Sequence, residues 1–112
     1  MIYHITQRKA WLQAQNIGYY EPEGYASDGF IHCSSREQLL STAHSYYENA
    51  RDLVVLCINP DLTGAAVIYE NLTGGEELFP HLYGTLRFHA VLAAPDLTRN
   101  EAGKWQMPEG LL

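Results

Sequence analysis

Three histidines carry most of the chemistry available to this chain. His4 sits in Ile2-Tyr3-His4-Ile5, His32 in Gly29-Phe30-Ile31-His32-Cys33, and His81 follows Pro80 in Phe79-Pro80-His81-Leu82-Tyr83-Gly84. An imidazole near neutral pH can move a proton, polarise a hydroxyl or ligate a metal. Taken singly, each fits more simply a core or edge histidine held by a backbone carbonyl. Two of them, however, stand near strand ends with a hydroxyl residue two positions on, Thr6 after His4 and Ser34 after His32. Strand alternation puts His32 on the face of Phe30, and neighbouring strands would aim His4 and His32 into one cleft.

Glu70 ends the segment Val67-Ile68-Tyr69-Glu70, close in sequence to His81. A carboxylate there could orient a hydroxyl or offset a cationic transition state, and equally could be a solvated strand end. A zinc site from His4, His32 and His81 with an open fourth position is chemically possible, although the spacing does not announce one. Cys33 adjoins His32, yet adjacent strand residues face opposite ways, so a Cys–His dyad is disfavoured. His44 and His89 have no comparable context. Tyr19, Tyr20 and Tyr25 could stack on a planar ligand or cap an edge of the core. No dinucleotide-binding glycine fingerprint, phosphate-binding loop, zinc-protease helix or serine elbow occurs.

These residues need elements to position them. Ile2–Ile5 reads as a strand, with Thr6 capping a helix over about Gln7–Gln15 that Gly18 stops. Residues 19–28, with Pro22, Gly24 and three tyrosines, read as a loop, and Asp28-Gly29 as turn chemistry. Gly29–Cys33 is a second strand. Ser35 and Gln38 then form a capping box for a helix over about Arg36–Asn49. Leu53–Ile58 is an unbroken apolar run, so it predicts a central strand buried on both faces. Asn59-Pro60-Asp61 turns the chain into a strand over Ala65–Glu70, and Gly74-Gly75 turns it again. Pro80 argues against an ordinary central strand over Leu78–Tyr83. Leu86–Leu92 is the last clear strand, and a final one is expected around Lys104–Met107. Strand, helix, strand, helix and then several strands predict an α+β domain with a mixed or antiparallel sheet.

Length and charge set outer limits. At 112 residues the chain is one domain, residues 1–112, with 46% hydrophobic residues that exclude a disordered polymer. Thirteen acidic residues against seven basic ones, the latter scattered, leave no stripe for broad nucleic-acid binding. No apolar run spans a bilayer and no signal-peptide pattern opens the chain, so a cytoplasmic protein is expected. In that compartment Cys33 and Cys57 are expected as free thiols.

At its histidine motifs, with Trp11, Gly18 and the Leu53–Ile58 strand, the chain closely resembles a family of small bacterial proteins called domain of unknown function 952. More distantly, that family is similar to a compact ADP-ribosyltransferase-like fold, particularly its RNA 2′-phosphotransferase branch. The branch carries a first-strand histidine followed by a hydroxyl residue, matched here by His4-Ile5-Thr6. It also has a later histidine–serine motif, matched by Ile31-His32-Cys33-Ser34. The resemblance implies two short helices packed on a split sheet, with NAD gripped in a cleft between two small sheets. Catalytic roles would fall to His4, His32, His81 and Glu70, and cofactor contacts to Thr6, Ser34 and Tyr83. His4 and Thr6 would meet NAD ribose, His32 and Ser34 the nicotinamide or acceptor side, and Glu70 or His81 the third position. The implied activity is binding of NAD or an ADP-ribose-type nucleotide, with ADP-ribose transfer to an unidentified acceptor. A non-catalytic nucleotide- or protein-binding module and a histidine–metal hydrolase are the alternatives.

Overall fold

The apolar run Leu53–Ile58 is buried at all six positions, and the rest of the domain is arranged around it. The computed structural model describes residues 1–72 and 74–112. Along the chain the elements are β1 (Ile2–Gln7), α1 (Arg8–Ile17), α2 (Tyr25–Asp28), β2 (Ile31–His32), α3 (Leu39–Tyr46) and β3 (Leu53–Ile58). They continue through β4 (Ala66–Glu70), β5 (Phe79–Tyr83), β6 (Val91–Ala93) and β7 (Asp96–Leu97). The class is α+β, as expected, with three helices rather than two among the described residues. Every strand pairing among the described residues is antiparallel.

Two small sheets result. One has the order β1-β3-β6, with β7 pairing the start of β3, and the other has the order β2-β5-β4. In β3 the period-two pattern sorts side chains into two cores. Val54, Leu56 and Ile58 pack with Ile2, Trp11, Ile31 and Leu82. Leu53, Val55 and Cys57 pack with Tyr3, Ile5, Leu39 and Trp105 on the opposite face. Each large apolar side chain buried in this way stabilises the fold by roughly 1.5–3 kcal/mol before entropy is counted. The central strand is therefore buried on both faces within an antiparallel sheet, because helices and the second sheet cover both sides.

Several expected boundaries move. Thr6 does not cap α1: β1 stays paired through Gln7↔Leu53, so the chain is still extended at Thr6, and Gln7 is the cap without a side-chain bond. Gly18, at φ +110°, stops α1 as predicted, its N–H reaching the Ala14 carbonyl at 2.8 Å. The Ser35–Gln38 box forms in both directions, at 2.9 and 3.3 Å, but regular helix begins only at Leu39 and ends at Tyr46. β2 is cut to two residues because Gly29, at φ +80°, closes the short helix α2 just before it. Pro80 lies in the middle strand of its sheet, against expectation. Its carbonyl accepts from the Cys33 N–H at 3.0 Å where β2 runs out, so the N–H it lacks falls at the end of a ladder. Leu86–Leu92 becomes a 3-10 turn at Phe88–Ala90 plus the short β6, and the tail offers a single Arg99↔Trp105 bridge instead of a strand. No helix among the described residues is long and apolar enough to cross a membrane.

Candidate functional site

Among the described residues the two sheets meet at one isolated backbone bridge. Tyr3 N–H donates to the Ser34 carbonyl at 2.9 Å, and Ser34 N–H donates back to Tyr3 at 2.7 Å. Beside this bridge a side chain takes over from the backbone: His4 Nδ1 lies 2.6 Å from the His32 carbonyl oxygen. A carbonyl only accepts, so Nδ1 carries the proton and donates. Burial pushes the His4 imidazole down to about 4, so the ring is neutral and Nε2 is an acceptor. The Tyr20 hydroxyl stands 2.8 Å from that Nε2 and 2.9 Å from Thr6 Oγ1, linking the two β1 residues into one buried chain. Burial likewise pushes the Tyr20 phenol up to about 12.

A second group forms on the small sheet. Cross-strand register places His32, His81 and Ile68 in one row across β2, β5 and β4, while Ile31, Leu82 and Val67 form the row that faces the core. His81 Nδ1 donates to Glu70 Oε1 at 2.9 Å, and the Tyr83 hydroxyl donates to the same oxygen. These bonds hold the Glu70 carboxyl below the usual carboxylate range, Tyr83 contributing more than His81. Glu70 in turn raises the Tyr83 phenol. Phe30 stacks on the His81 ring at 4.1 Å and 18°, and the His32 ring meets that of His81 edge-on at 5.2 Å. His32 Nε2 is 3.1 Å from Asp28 Oδ2 at an exposed position. His81 is only 5% exposed, and its Nε2 has no partner among the described residues. No buried side-chain nitrogen or oxygen there lacks a partner, so this Nε2 opens onto the cavity that His81 lines.

That cavity, about 910 Å³, joins the two groups: His4, Thr6, His32, Ser34, Glu70 and His81 all line it. All three histidines line this cavity; the His32 and His81 rings meet, whereas both ring nitrogens of His4 are engaged by the His32 carbonyl and the Tyr20 hydroxyl. Tyr83 is not among the lining residues and reaches the site through Glu70 and through the ring of Phe30, 5.2 Å away. The Ser34 hydroxyl lies 2.9 Å from Thr42 Oγ1, which ties α3 to the cleft. Ile5 packs its side chain with Leu39 and Leu53 on the opposite face of β1, so its bulk is directed away from His4 and Thr6. Cys33 belongs to the apolar core and its thiol is pushed up to about 12 by burial, whereas His32 is exposed, so the two form no dyad. The described residues contain no group of three or more His, Cys, Asp or Glu placed to hold a metal ion, which removes the geometric basis of the zinc reading.

Sequence reasoning did not assign site roles to Asp28 and Phe30, and it offered Tyr20 only as a ring that stacks on a planar ligand or caps an edge of the core. Phe30 was legible as sharing a face with His32, and Asp28 stands four residues before it. The link from the Tyr20 hydroxyl to His4 and Thr6 had no local signal, because those partners lie on a strand at the far end of α1.

Among solved structures, the chain is similar to the X-ray crystal structure of protein CC0527 from Caulobacter crescentus. Identity is 34% over 94% of this chain and 92% of that one, with a TM-score of 0.81. A double mutant of that protein matches equally well, and its solution NMR structure gives a TM-score of 0.80 over 90% of that chain. No curated protein matches significantly. Residues 5–94 match the model described as "Protein of unknown function (DUF952)", and the chain belongs to that family.

Proposed function

We propose that the cleft binds NAD or an ADP-ribose-type nucleotide and transfers the ribosyl group to an acceptor hydroxyl, in the manner of a compact ADP-ribosyltransferase-like domain. The carrying observation is the chain from Tyr83 through Glu70 to His81, a largely buried residue that lines the cavity and keeps its second ring nitrogen free of a partner among the described residues. The volume of about 910 Å³ falls in the ~300–1,000 Å³ range of small-molecule sites. Aromatic walls at Tyr19, Phe30 and Phe79 supply flat apolar surface, and His4 and Thr6 supply a preorganised polar strand.

NAD enters this scheme as substrate. The bond from ribose C1′ to the pyridinium nitrogen breaks, its electron pair leaving with neutral nicotinamide, and a bond forms from C1′ to the acceptor oxygen. The acceptor's proton passes to His81 Nε2, while Glu70 at Nδ1 holds the tautomer and offsets the imidazolium charge. The Glu70 and Asp28 carboxylates in the cleft wall also offset positive charge developing on the sugar.

The test is an NMR titration of the labelled protein with NAD, alongside an assay for nicotinamide release. Saturable shifts centred on His4, Thr6, His32 and Ser34 are expected. Glu70→Gln and His81→Ala should each lower release by about a hundredfold or more while the fold persists. Absence of any shift at millimolar NAD overturns the reading. Binding without release leaves the non-catalytic nucleotide-binding module in its place.

A further inference from the structure

The cavity wall is unusual in the sign of its charge. Glu21, Glu23, Asp28 and Glu70 line it, and no lysine or arginine does so among the described residues. A site that grips a diphosphate ordinarily sets cationic side chains or a helix N-terminus against it. Here four carboxylates repel one, in a chain already carrying a net charge of −6. The same wall has an independent mark of a ligand: His81, 5% exposed, presents an unpartnered Nε2 beside the stacked ring of Phe30. A flat ring entering there would meet the edge of the Phe30–His81 stack and the exposed His32 ring, with the Asp28 and Glu70 carboxylates bonded to the two imidazoles.

We infer that the cleft recognises the cationic, phosphate-free end of its ligand, a positively charged planar N-glycoside of the pyridinium riboside type, and leaves any diphosphate in solvent. This inference rests on the nucleotide reading of the cleft and specifies which half of the nucleotide is held. Charge acts twice in this arrangement. The carboxylates attract the pyridinium ring in the bound state, and they favour the cationic sugar as the glycosidic bond stretches. Glu21 and Glu23, both exposed, set the field at the mouth without entering the hydrogen-bonded core of the site.

Calorimetric and NMR titrations with four probes test it: nicotinamide riboside, its neutral dihydro form, NAD and ADP-ribose. One unit charge at this partly solvated distance is worth about tenfold in affinity. Nicotinamide riboside should therefore bind about tenfold or more tightly than either its dihydro form or ADP-ribose, and at least as tightly as NAD. A Glu21→Gln/Glu23→Gln double variant should narrow the gap between riboside and ADP-ribose. ADP-ribose binding as well as the riboside overturns the inference and leaves the nucleotide reading standing. Equal binding of the charged and neutral ribosides also overturns it, since charge is then not the selector. If none of the four binds, the nucleotide reading fails and the inference fails with it.

Discussion

His4 donates from Nδ1 to the carbonyl oxygen of His32 at 2.6 Å, so a side chain of one sheet caps the backbone edge of the other. The bond lies beside the Tyr3–Ser34 bridge that joins the two sheets. It makes the neutral state of His4 part of the architecture: the Nδ1 proton serves the carbonyl, and Nε2 accepts from its surroundings.

Stability should therefore fall in mild acid. The His4 pKa drops from 6.5 when unfolded to about 4 when folded, so the unfolded chain takes up a proton that the native one refuses. The contribution is fully present above about pH 6.5 and is lost as pH falls toward 4, amounting to about 3 kcal/mol in all. Urea midpoints from pH 7.5 down to about 4 would read it. A His4→Gln variant, which keeps a donor for the carbonyl but cannot titrate, should show a shallower slope; an equal slope would place the titration elsewhere.

Tyr20→Phe should cost about 1–3 kcal/mol. The ring would still pack against Trp11, at 6.0 Å between centroids, but the hydroxyl that serves His4 Nε2 and Thr6 Oγ1 would be gone. His4 Nε2 and Thr6 Oγ1 would then lose the hydroxyl that links them in a buried site. Thermal or urea denaturation measures the loss, and a change below a few tenths of a kcal/mol would mean that water replaces the hydroxyl freely.

Gly29→Ala isolates a backbone effect. An added Cβ at this position meets no atom within 4 Å, yet φ is +80°, where a side chain is strained. A loss of about 1 kcal/mol is expected from conformation alone. Because Gly29 lies between Asp28 and the β2 strand that carries His32, the His32 ring signals should move as well. A neutral stability change with unmoved His32 signals would show that the turn can relax at no cost.

Maleimide labelling should find both cysteines silent in the native protein. Cys33 and Cys57 are 4% and 0% exposed, and burial raises both thiols, Cys33 to about 12. The reactive thiolate is thus both scarce and inaccessible. Labelling should track the unfolded fraction through a urea titration, and fast labelling in buffer would contradict the packing around β3.

How far the sequence alone reached is clearest at particular residues. Local rules sufficed where the cause was local: the Ser35–Gln38 box, the stop at Gly18, the six-residue strand Leu53–Ile58 and the shared face of Phe30 and His32 all follow from spacing and backbone preference. They did not suffice where pairing overrode preference. Thr6 is a good helix cap, but the ladder to β3 keeps it extended through Gln7. Pro80 is poor in a central strand, but β2 ends where its N–H would have been needed. The histidines were legible as candidates by type and motif alone. Their division of labour was decided only by the tertiary structure, which set His4 at a buried sheet edge and His81 against Glu70 with Nε2 facing the cavity. Hydrogen bonds and desolvation assign those roles, and both depend on neighbours 11 to 28 positions away along the chain.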